Sequence, residues 1–274
     1  MGDSPMPRSM RITVFTSNQP RHVSLIESLA AIADEVFAVQ ECNTVFPGVV
    51  DDFFRKSPVM QDYFSRLIAA EREVFGAARF PASSNVRQLP IRMGDLSRLD
   101  VATLAPAMDA DVFVVFGASY IKGTLCDALV DRRAINIHMG VSPQYRGSST
   151  NFWAMYDRRP EWVGATIHRL SRGLDSGPIL FHALPHAARV DPFVFGMRAV
   201  RAAHDALVGK IKSARLGDLP PIEQDRSREL RYTRNADFTD EVAAEYLSRL
   251  LAPAQMETAI QRRDLSAYVR PVLA

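Results

Sequence analysis

The sequence predicts an α/β protein with a mostly parallel sheet flanked by helices and a short, mainly helical C-terminal extension. Short apolar runs of strand length alternate with longer stretches whose apolar residues recur at helical spacing, which is the pattern of βαβ units. The chain has 274 residues, of which 47% are hydrophobic and 23% are charged, so it can bury a large core. Both observations exclude a mainly disordered, collagen-like or coiled-coil chain.

Four apolar runs are predicted to form central strands. They comprise residues 11–15, 35–39, 111–116 and 134–138. A helix is predicted over 20–33, where Val23, Ile26 and Leu29 recur at helical spacing, and another around 125–130. Because each helix lies between two strands, the connections are those of a parallel sheet.

An insertion at about 46–84 interrupts this alternation. Its segments 51–54 and 60–75 are expected to be helical and are rich in aromatic residues. We expect the insertion to lie beside the sheet, either near a substrate or as peripheral packing. Its aromatic residues could stack against a base, although core packing explains most of them equally well; they are Phe53, Phe54, Tyr63 and Phe64.

The C-terminal part is predicted to be helical. One helix follows Asp191 and runs to about residue 216, and the prolines of 219–221 then interrupt the chain. Two further helices are predicted at 239–250, with Thr239 as the N-cap, and at 255–262. We therefore expect a flexible lead-in (1–10), a main domain (11–216) and an accessory region (217–274).

The charge and cysteine content exclude several classes of partner. Lys+Arg total 33 and Asp+Glu total 31, a balance that predicts neither nucleic acid nor a membrane surface as partner. The two cysteines, Cys42 and Cys126, lie far apart, and neither they nor the histidines have metal-ligand spacing. The polar start lacks the apolar core of a signal peptide, so we expect a cytoplasmic protein without a bound metal.

The first strand-to-helix turn, at residues 16–22, is a candidate anion site. It has neither a GxGxxG fingerprint nor a Walker lysine loop. Ser17, Asn18 and Arg21 flank a helix N-terminus, where backbone amides and a guanidinium could hold a phosphate of the substrate. The alternative is simple capping by Ser17 or Asn18, with Pro20 in the first helical turn.

Three polar residues suggest a catalytic centre. Asn136 and His138 are two positions apart at the end of a predicted strand, so their side chains share one face. Asp175 lies in a glycine-containing loop and could orient the imidazole and raise its pKa. An amide and an imidazole can supply oxyanion donors and proton transfer. No GxSxG elbow is present, so direct attack by a substrate group is the simpler chemistry. Each residue alone could equally be structural.

The segments NIHMGVSPQYRGSSTNFWA and GATIHRLSRGLDSGPIL together resemble the formyltetrahydrofolate-dependent formyltransferase family. The shared pattern is an Asn-x-His pair, a Pro-x-Tyr-Arg-Gly loop, a Trp-Ala helix start and a Gly-x-Thr-x-His strand before Asp-x-Gly-Pro-Ile. The detailed match covers about residues 111–185. It departs from the family at residues 139–141, where relatives often carry Pro-Ser-Leu. The resemblance implies a Rossmann-like formyltransferase fold, with Asn136, His138 and Asp175 as the catalytic triad.

The resemblance also implies N10-formyltetrahydrofolate as formyl donor. His168 matches a family position and is expected to support the site, and Tyr145 and Arg146 are expected near the substrate. The folate pocket is expected between the turn after the 111–116 strand and the loop that contains Asp175. The donor-binding residues assigned by this resemblance are Phe116, Gly117, Ser119, Tyr120, Ile121, Leu170, Gly173, Leu174 and Gly177.

The acceptor amine is the least determined feature. The nearly neutral C-terminal part does not resemble the basic tRNA-binding domain of methionyl-tRNA formyltransferases. Sugar N-formyltransferases resemble the chain better in length, so the amine of a nucleotide-linked amino sugar is the favoured acceptor. Three alternatives remain: a hydroxyornithine or other amino-acid-type acceptor, hydrolysis of the formylfolate, and a non-catalytic folate- or nucleotide-binding module. A homodimer through the helical tail is a further expectation.

Overall fold

The computed structural model describes residues 9–45 and 57–274. Its ten strands are β1 (Arg11–Ser17), β2 (Glu35–Cys42), β3 (Val86–Arg92), β4 (Val112–Val115), β5 (Ile135–His138), β6 (Tyr145–Gly147), β7 (Ala165–Arg169), β8 (Ile179–Leu184), β9 (Arg231–Thr233) and β10 (Val272–Leu273). The α-helices in these residues are α1 (Pro20–Ala30), α2 (Pro58–Phe75), α3 (Gly123–Asp131), α4 (Thr150–Tyr156), α5 (Pro192–Lys212), α6 (Asp240–Ser248) and α7 (Pro253–Gln261).

Eight strands form one mostly parallel sheet, which confirms the predicted fold class. Their spatial order is β10-β8-β7-β5-β4-β1-β2-β3, and only β7 runs antiparallel to its neighbours. The four predicted strands correspond to β1, β2, β4 and β5. Helix 60–75 is also present as α2, whereas the predicted segment 51–54 lies outside the described residues.

The central strands are buried on both faces, which explains their continuous apolar runs. On β1, Val14 belongs to the core beneath α1 and α5, whereas the next residue, Phe15, belongs to the core beneath α3. Both side chains are fully buried. A strand covered on both sides needs no apolar–polar alternation, so the sequence pattern and the layered architecture agree.

Strand β3 was missed from the sequence because it is a mostly exposed edge strand. It pairs with β2 only, and its residues from Arg87 to Pro90 are exposed. Pro90 cannot donate a hydrogen bond to a sheet, which suits an edge. The strand therefore shows neither an apolar run nor a clear alternation.

The C-terminal region adds strands as well as helices. Strand β9 pairs with β6 in a separate two-stranded parallel sheet, and β10 pairs with β8 of the main sheet. Gly147 permits the first of these contacts, since it has φ +91° and a Cβ there would lie 1.9 Å from the Thr233 carbonyl oxygen. The tail thus packs directly against the catalytic half of the main domain. No helix in the described residues is long and apolar enough to cross a membrane.

Candidate active site

The three candidate catalytic side chains converge at the carboxyl end of β5. His138 Nδ1 lies 3.2 Å from Asp175 Oδ2, and Asn136 Nδ2 donates to Asp175 Oδ1 at 2.9 Å. Asn136 and His138 share one side of β5, and the loop between β7 and β8 brings Asp175 to them. The structure therefore assembles one connected polar cluster from residues 39 positions apart in the chain.

His168 completes this cluster from the neighbouring strand. It is the antiparallel partner of Asn136, and the two side chains meet at 2.9 Å between Nδ2 and Nε2. His168 Nδ1 lies 2.7 Å from the carbonyl oxygen of Arg169, which can only accept a hydrogen bond. Nδ1 therefore carries the proton, and Nε2 accepts from the Asn136 amide.

Both amide hydrogens of Asn136 are consequently in use, one on Asp175 and one on His168. The expectation that Asn136 donates to an oxyanion thus requires it to release one of these partners when substrate is bound. In the structure described here, its amide instead holds the carboxylate and the second imidazole in place.

Asp175 is held as a carboxylate. Burial by itself would raise its pKa, but His138 and His168 beside it lower the pKa further than burial raises it, to well below the ordinary range. The residue also has φ +44°, a left-handed conformation that is uncommon outside glycine. Asp175 therefore combines a persistent negative charge with a constrained backbone.

His138 lines a large cavity. His138 Nε2 is buried and has no hydrogen-bond partner in the described part of the chain, and His138 lines a cavity of about 770 Å³. Asn136, His168 and Asp175 line the same cavity. One ring nitrogen of His138 thus contacts a carboxylate, and the other has no partner among the described residues.

Most of the predicted folate residues form one wall of this cavity. Gly177 is the exception: it does not line the cavity, and a Cβ there would lie 1.8 Å from the Arg169 carbonyl oxygen. Its assignment as a donor contact stays a prediction, and close packing against β7 determines its position. The predicted residues that do line the cavity are Phe116, Gly117, Ser119, Tyr120, Ile121, Leu170, Gly173 and Leu174.

Two contacts that the sequence did not reveal fix this wall. The carboxylate of fully buried Glu41 accepts hydrogen bonds from the backbone nitrogen and hydroxyl of Ser119, at 2.6 and 2.8 Å. The hydroxyl of Tyr120 donates to the carbonyl oxygen of Arg172 in the opposite loop. The turn after β4 is therefore held by the Glu41 carboxylate and joined by a hydrogen bond to the loop that carries Asp175.

The predicted anion site at the start of α1 is already occupied by a protein carboxylate. Glu71 accepts from the backbone nitrogen of Arg21 at 3.1 Å and pairs with its guanidinium at 2.8 Å. Ser17 and Arg21 line the cavity, but Asn18 does not, because its amide bonds to the backbone of Asn43. The capping alternative is also corrected, since the N-cap is Gln19 and neither Ser17 nor Asn18.

Tyr145 and Arg146 do not reach the cavity, so their assignment as substrate contacts is corrected. Tyr145 is 1% exposed and hydrogen-bonds Asp157 through its hydroxyl at 3.1 Å. Arg146 pairs with Glu229 of the tail at 2.8 Å. Arg146 thus joins β6 to the tail, whereas the Tyr145 hydroxyl binds the residue that follows α4.

The cavity also has an aromatic wall, and only one of its residues was named from the sequence. Tyr63 lines the cavity, Phe64 does not, and Phe53 and Phe54 lie outside the described residues. The others could not be identified from local sequence pattern, because they come from three further helices. The aromatic residues of this wall are Tyr63 from α2, Phe152 from α4, Phe193 from α5 and Tyr246 from α6.

Comparison with known proteins points to one family. A family model described as formyl transferase matches residues 76–205, a range that contains Asn136, His138 and Asp175. Methionyl-tRNA formyltransferases are similar in sequence: that of Synechococcus sp. (strain JA-3-3Ab) is 30% identical over 143 residues, covering 51% of this chain and 44% of the relative. That of Anaeromyxobacter dehalogenans is 28% identical over 159 residues, covering 56% and 50%.

The chain thus spans about half the length of these curated relatives. A 4-N formyltransferase from Francisella tularensis aligns over 93% of this chain and 87% of its own, with a TM-score of 0.52 and 16% identity. At that identity the likeness concerns the fold.

Proposed function

A family model described as formyl transferase matches residues 76–205, and from this premise we propose that the chain transfers a formyl group from N10-formyltetrahydrofolate to a primary amine of a small molecule. One observation carries the proposal: Asn136, His138 and Asp175 form one polar cluster that lines a cavity of about 770 Å³, and His138 Nε2 has no hydrogen-bond partner among the described residues. That volume lies in the range of cavities that hold cofactor-sized ligands.

The donor is proposed to lie against the wall formed by the turn after β4 and the Asp175 loop. Backbone groups near Gly117 and Gly173 are suited to the donor and acceptor edge of a pterin, and Ile121 and Leu174 supply apolar contact. The formyl group would then lie beside His138. Glu41 and Tyr120 support this wall, so that the donor would meet a preformed surface.

The proposed chemistry is nucleophilic attack of the neutral amine on the formyl carbon, followed by departure of the folate nitrogen. Protonated His138 donates through Nε2 to the oxygen that gains negative charge. Asp175 stabilises the imidazolium through Nδ1, and its low pKa keeps it ionised for this task. His138 then gives its Nε2 proton to the departing folate nitrogen and takes up the proton lost by the amine, so protons balance over the reaction. Asn136 keeps the carboxylate aligned and can exchange one amide hydrogen bond for the oxyanion.

For the acceptor we propose a nucleotide-linked amino sugar, with hydroxyornithine or another amino-acid-type amine as the alternative. The aromatic wall with Tyr63 and Phe193 supports an acceptor that carries a ring. Arg21 is the arginine that lines the described cavity, and Glu71 already pairs with it. A nucleotide must therefore share this guanidinium or place its phosphates elsewhere, which makes the amino-acid-type amine the direct competitor.

The test combines donor binding with an acceptor panel. We expect N10-formyltetrahydrofolate to be consumed when the correct amine among nucleotide-linked amino sugars, N-hydroxyornithine and glycinamide ribonucleotide is added. Asn136→Ala, His138→Ala and Asp175→Ala should each lower kcat on the order of 100-fold or more while the fold is retained. His186→Ala, at an exposed histidine, is the matched control.

Other results would support the other functions. Release of formate without any amine would indicate a hydrolase. Tight donor binding without turnover across the panel would indicate a binding module. Near-normal turnover by folded His138→Ala would contradict the proposed role of the imidazole.

A further inference from the structure

A glutamine of the C-terminal tail binds the backbone of the loop that carries Asp175. Gln224 Nε2 donates to the carbonyl oxygen of Asp175 at 2.9 Å and to that of Gly177 at 2.8 Å. Since both partners are carbonyl oxygens, the amide nitrogen and not its oxygen must face the loop. Its two hydrogens match two acceptors on either side of Ser176.

The loop needs such support because its geometry is constrained. Asp175 has φ +44°, a conformation that costs energy for a residue with a side chain. Gly177 at the other end is packed so closely against the Arg169 carbonyl that no side chain fits there. Gln224 binds both of these residues, so its amide fixes the peptide planes that set the direction of the Asp175 carboxylate.

The tail delivers Gln224 to this position through backbone pairing. Ile222 and Ile179 exchange hydrogen bonds at 2.7 and 2.9 Å, where Ile179 is the first residue of β8 after the loop. Arg270 Nη1 donates to the carbonyl oxygens of Leu180 and Pro220, at 2.8 and 2.9 Å. The tail around residues 220–224 is therefore attached to the exit of the catalytic loop, two residues before Gln224.

We propose that Gln224 is a positioning residue for Asp175, so that the accessory region forms part of the catalytic machinery although Gln224 does not line the cavity. The inference rests on the proposed function, because its consequence is the rate of formyl transfer. Gln224 acts through two backbone carbonyls and the carboxylate they orient, and it does not act through contact with substrate.

The experiment compares Gln224→Ala with Gln255→Ala, an exposed glutamine of the same tail whose side chain bonds only to its own helix start at Ala252. In Gln224→Ala we expect amide hydrogen exchange at residues 173–177 to be about 10-fold faster. Affinity for 5-formyltetrahydrofolate, a stable analogue of the donor, should fall several-fold. With an active acceptor, kcat should fall about 10-fold while the KM for that acceptor changes little. Gln255→Ala should match the wild type in all three measurements.

Gln224→Glu gives a readout that a merely structural role would not produce. The ionised carboxylate would face two carbonyl oxygens and repel them, whereas the protonated form could donate one hydrogen bond. We expect this variant to exchange its loop amides faster than Gln224→Ala at pH 8 and more slowly at pH 5.5. Where turnover is measurable, the ratio of the two variants' kcat values should reverse in the same interval.

The possible results separate the inference from the function on which it rests. If the wild type binds no 5-formyltetrahydrofolate, the proposed donor is wrong, and loop exchange still decides whether Gln224 holds Asp175. If Gln224→Ala leaves both loop exchange and kcat at wild-type values, the positioning role is overturned. Faster exchange together with a lower kcat and an unchanged acceptor KM supports it.

Discussion

The buried histidines of this protein form two groups that differ in one respect, the presence of a carboxylate. His138 and His168 both lie next to Asp175, at 3.2 and 3.8 Å from its oxygens. His22, His182 and His204 are similarly buried, at 1–2% exposure, and the charged side chains that affect their pKa values are arginines or another histidine.

The three histidines of the second group share one electrostatic consequence of burial. Removal from water lowers the pKa of all three histidines in the second group, to about 4 for His182 and about 3 for His204. His138, by contrast, lies 3.2 Å from the carboxylate of Asp175. Burial therefore does not identify a catalytic histidine. The useful indicator is burial next to a charge of opposite sign that also borders a cavity.

Removing the charge of Asp175 is expected to have the largest effect on activity. Asp175→Asn keeps the shape and hydrogen-bonding capacity of the side chain but cannot stabilise an imidazolium at His138. We expect kcat to fall on the order of 1,000-fold in a folded protein, measured with the active acceptor at saturating donor. The control is Asp62→Asn, at a half-exposed carboxylate paired with Arg66 on α2. A kcat within a few-fold of wild type would mean that the carboxylate does not distinguish His138 from the other histidines.

The same contrast shows how far the sequence determines the site. Asn136 and His138 could be assigned together because strand periodicity puts residues two apart on one face. Asp175 was joined to them through the family pattern, and the structure brings all three together. Gln224 carries no such signal: it lies 49 residues after Asp175 and acts through its amide on backbone groups, which any sequence provides.

The elements predicted correctly are those in which burial leaves a periodic apolar pattern in the sequence. The elements that were missed form only through contact with a segment distant in the chain. Strands β1, β2, β4 and β5 are apolar because both faces are covered. Strands β9 and β10 are three and two residues long and exist through pairing with β6 and β8, so no local pattern marks them. Likewise, the Glu71 carboxylate at the start of α1 comes from 50 residues away and replaces the anion that the turn by itself suggested.

The second prediction is that the folded protein loses stability in acid. The loss is expected from the buried histidines that have no carboxylate beside them. In the unfolded chain a histidine takes up a proton as the pH falls through about 6.5. His182 and His204 in the folded chain do so only near pH 4 and 3. Their contribution to stability is therefore complete above pH 6.5 and is lost as the pH falls below it, by up to about 1.4 kcal/mol per pH unit for each. Urea denaturation at pH 7.5 and pH 5 should show this loss.

The attribution to His204 can be checked with one variant. In His204→Leu the pH dependence between 7.5 and 5 should be shallower than in the wild type, because one proton fewer is taken up on unfolding. Turnover at pH 7.5 should change little, since His204 does not line the cavity. An unchanged slope would contradict the neutral, apolar environment assigned to this residue.

The smallest expected effect is a difference in stability between substitutions of His182 and His204. These two histidines are equally buried, but the hydrogen bonding of their rings differs. His182 Nε2 donates to the Ser142 carbonyl oxygen at 2.9 Å, and its Nδ1 accepts from the backbone nitrogen of Val269 at 2.9 Å. Neither ring nitrogen of His204 has a hydrogen-bond partner among the described residues. His182→Leu at pH 7.5 should therefore lower the free energy of unfolding by about 2 kcal/mol, because it leaves the buried Ser142 carbonyl oxygen and the half-buried Val269 amide unpaired. His204→Leu removes only an unsatisfied polar ring and should cost less than 1 kcal/mol or stabilise the protein. Equal losses in the two variants would show that packing volume, and not hydrogen bonding, determines the stability of both sites.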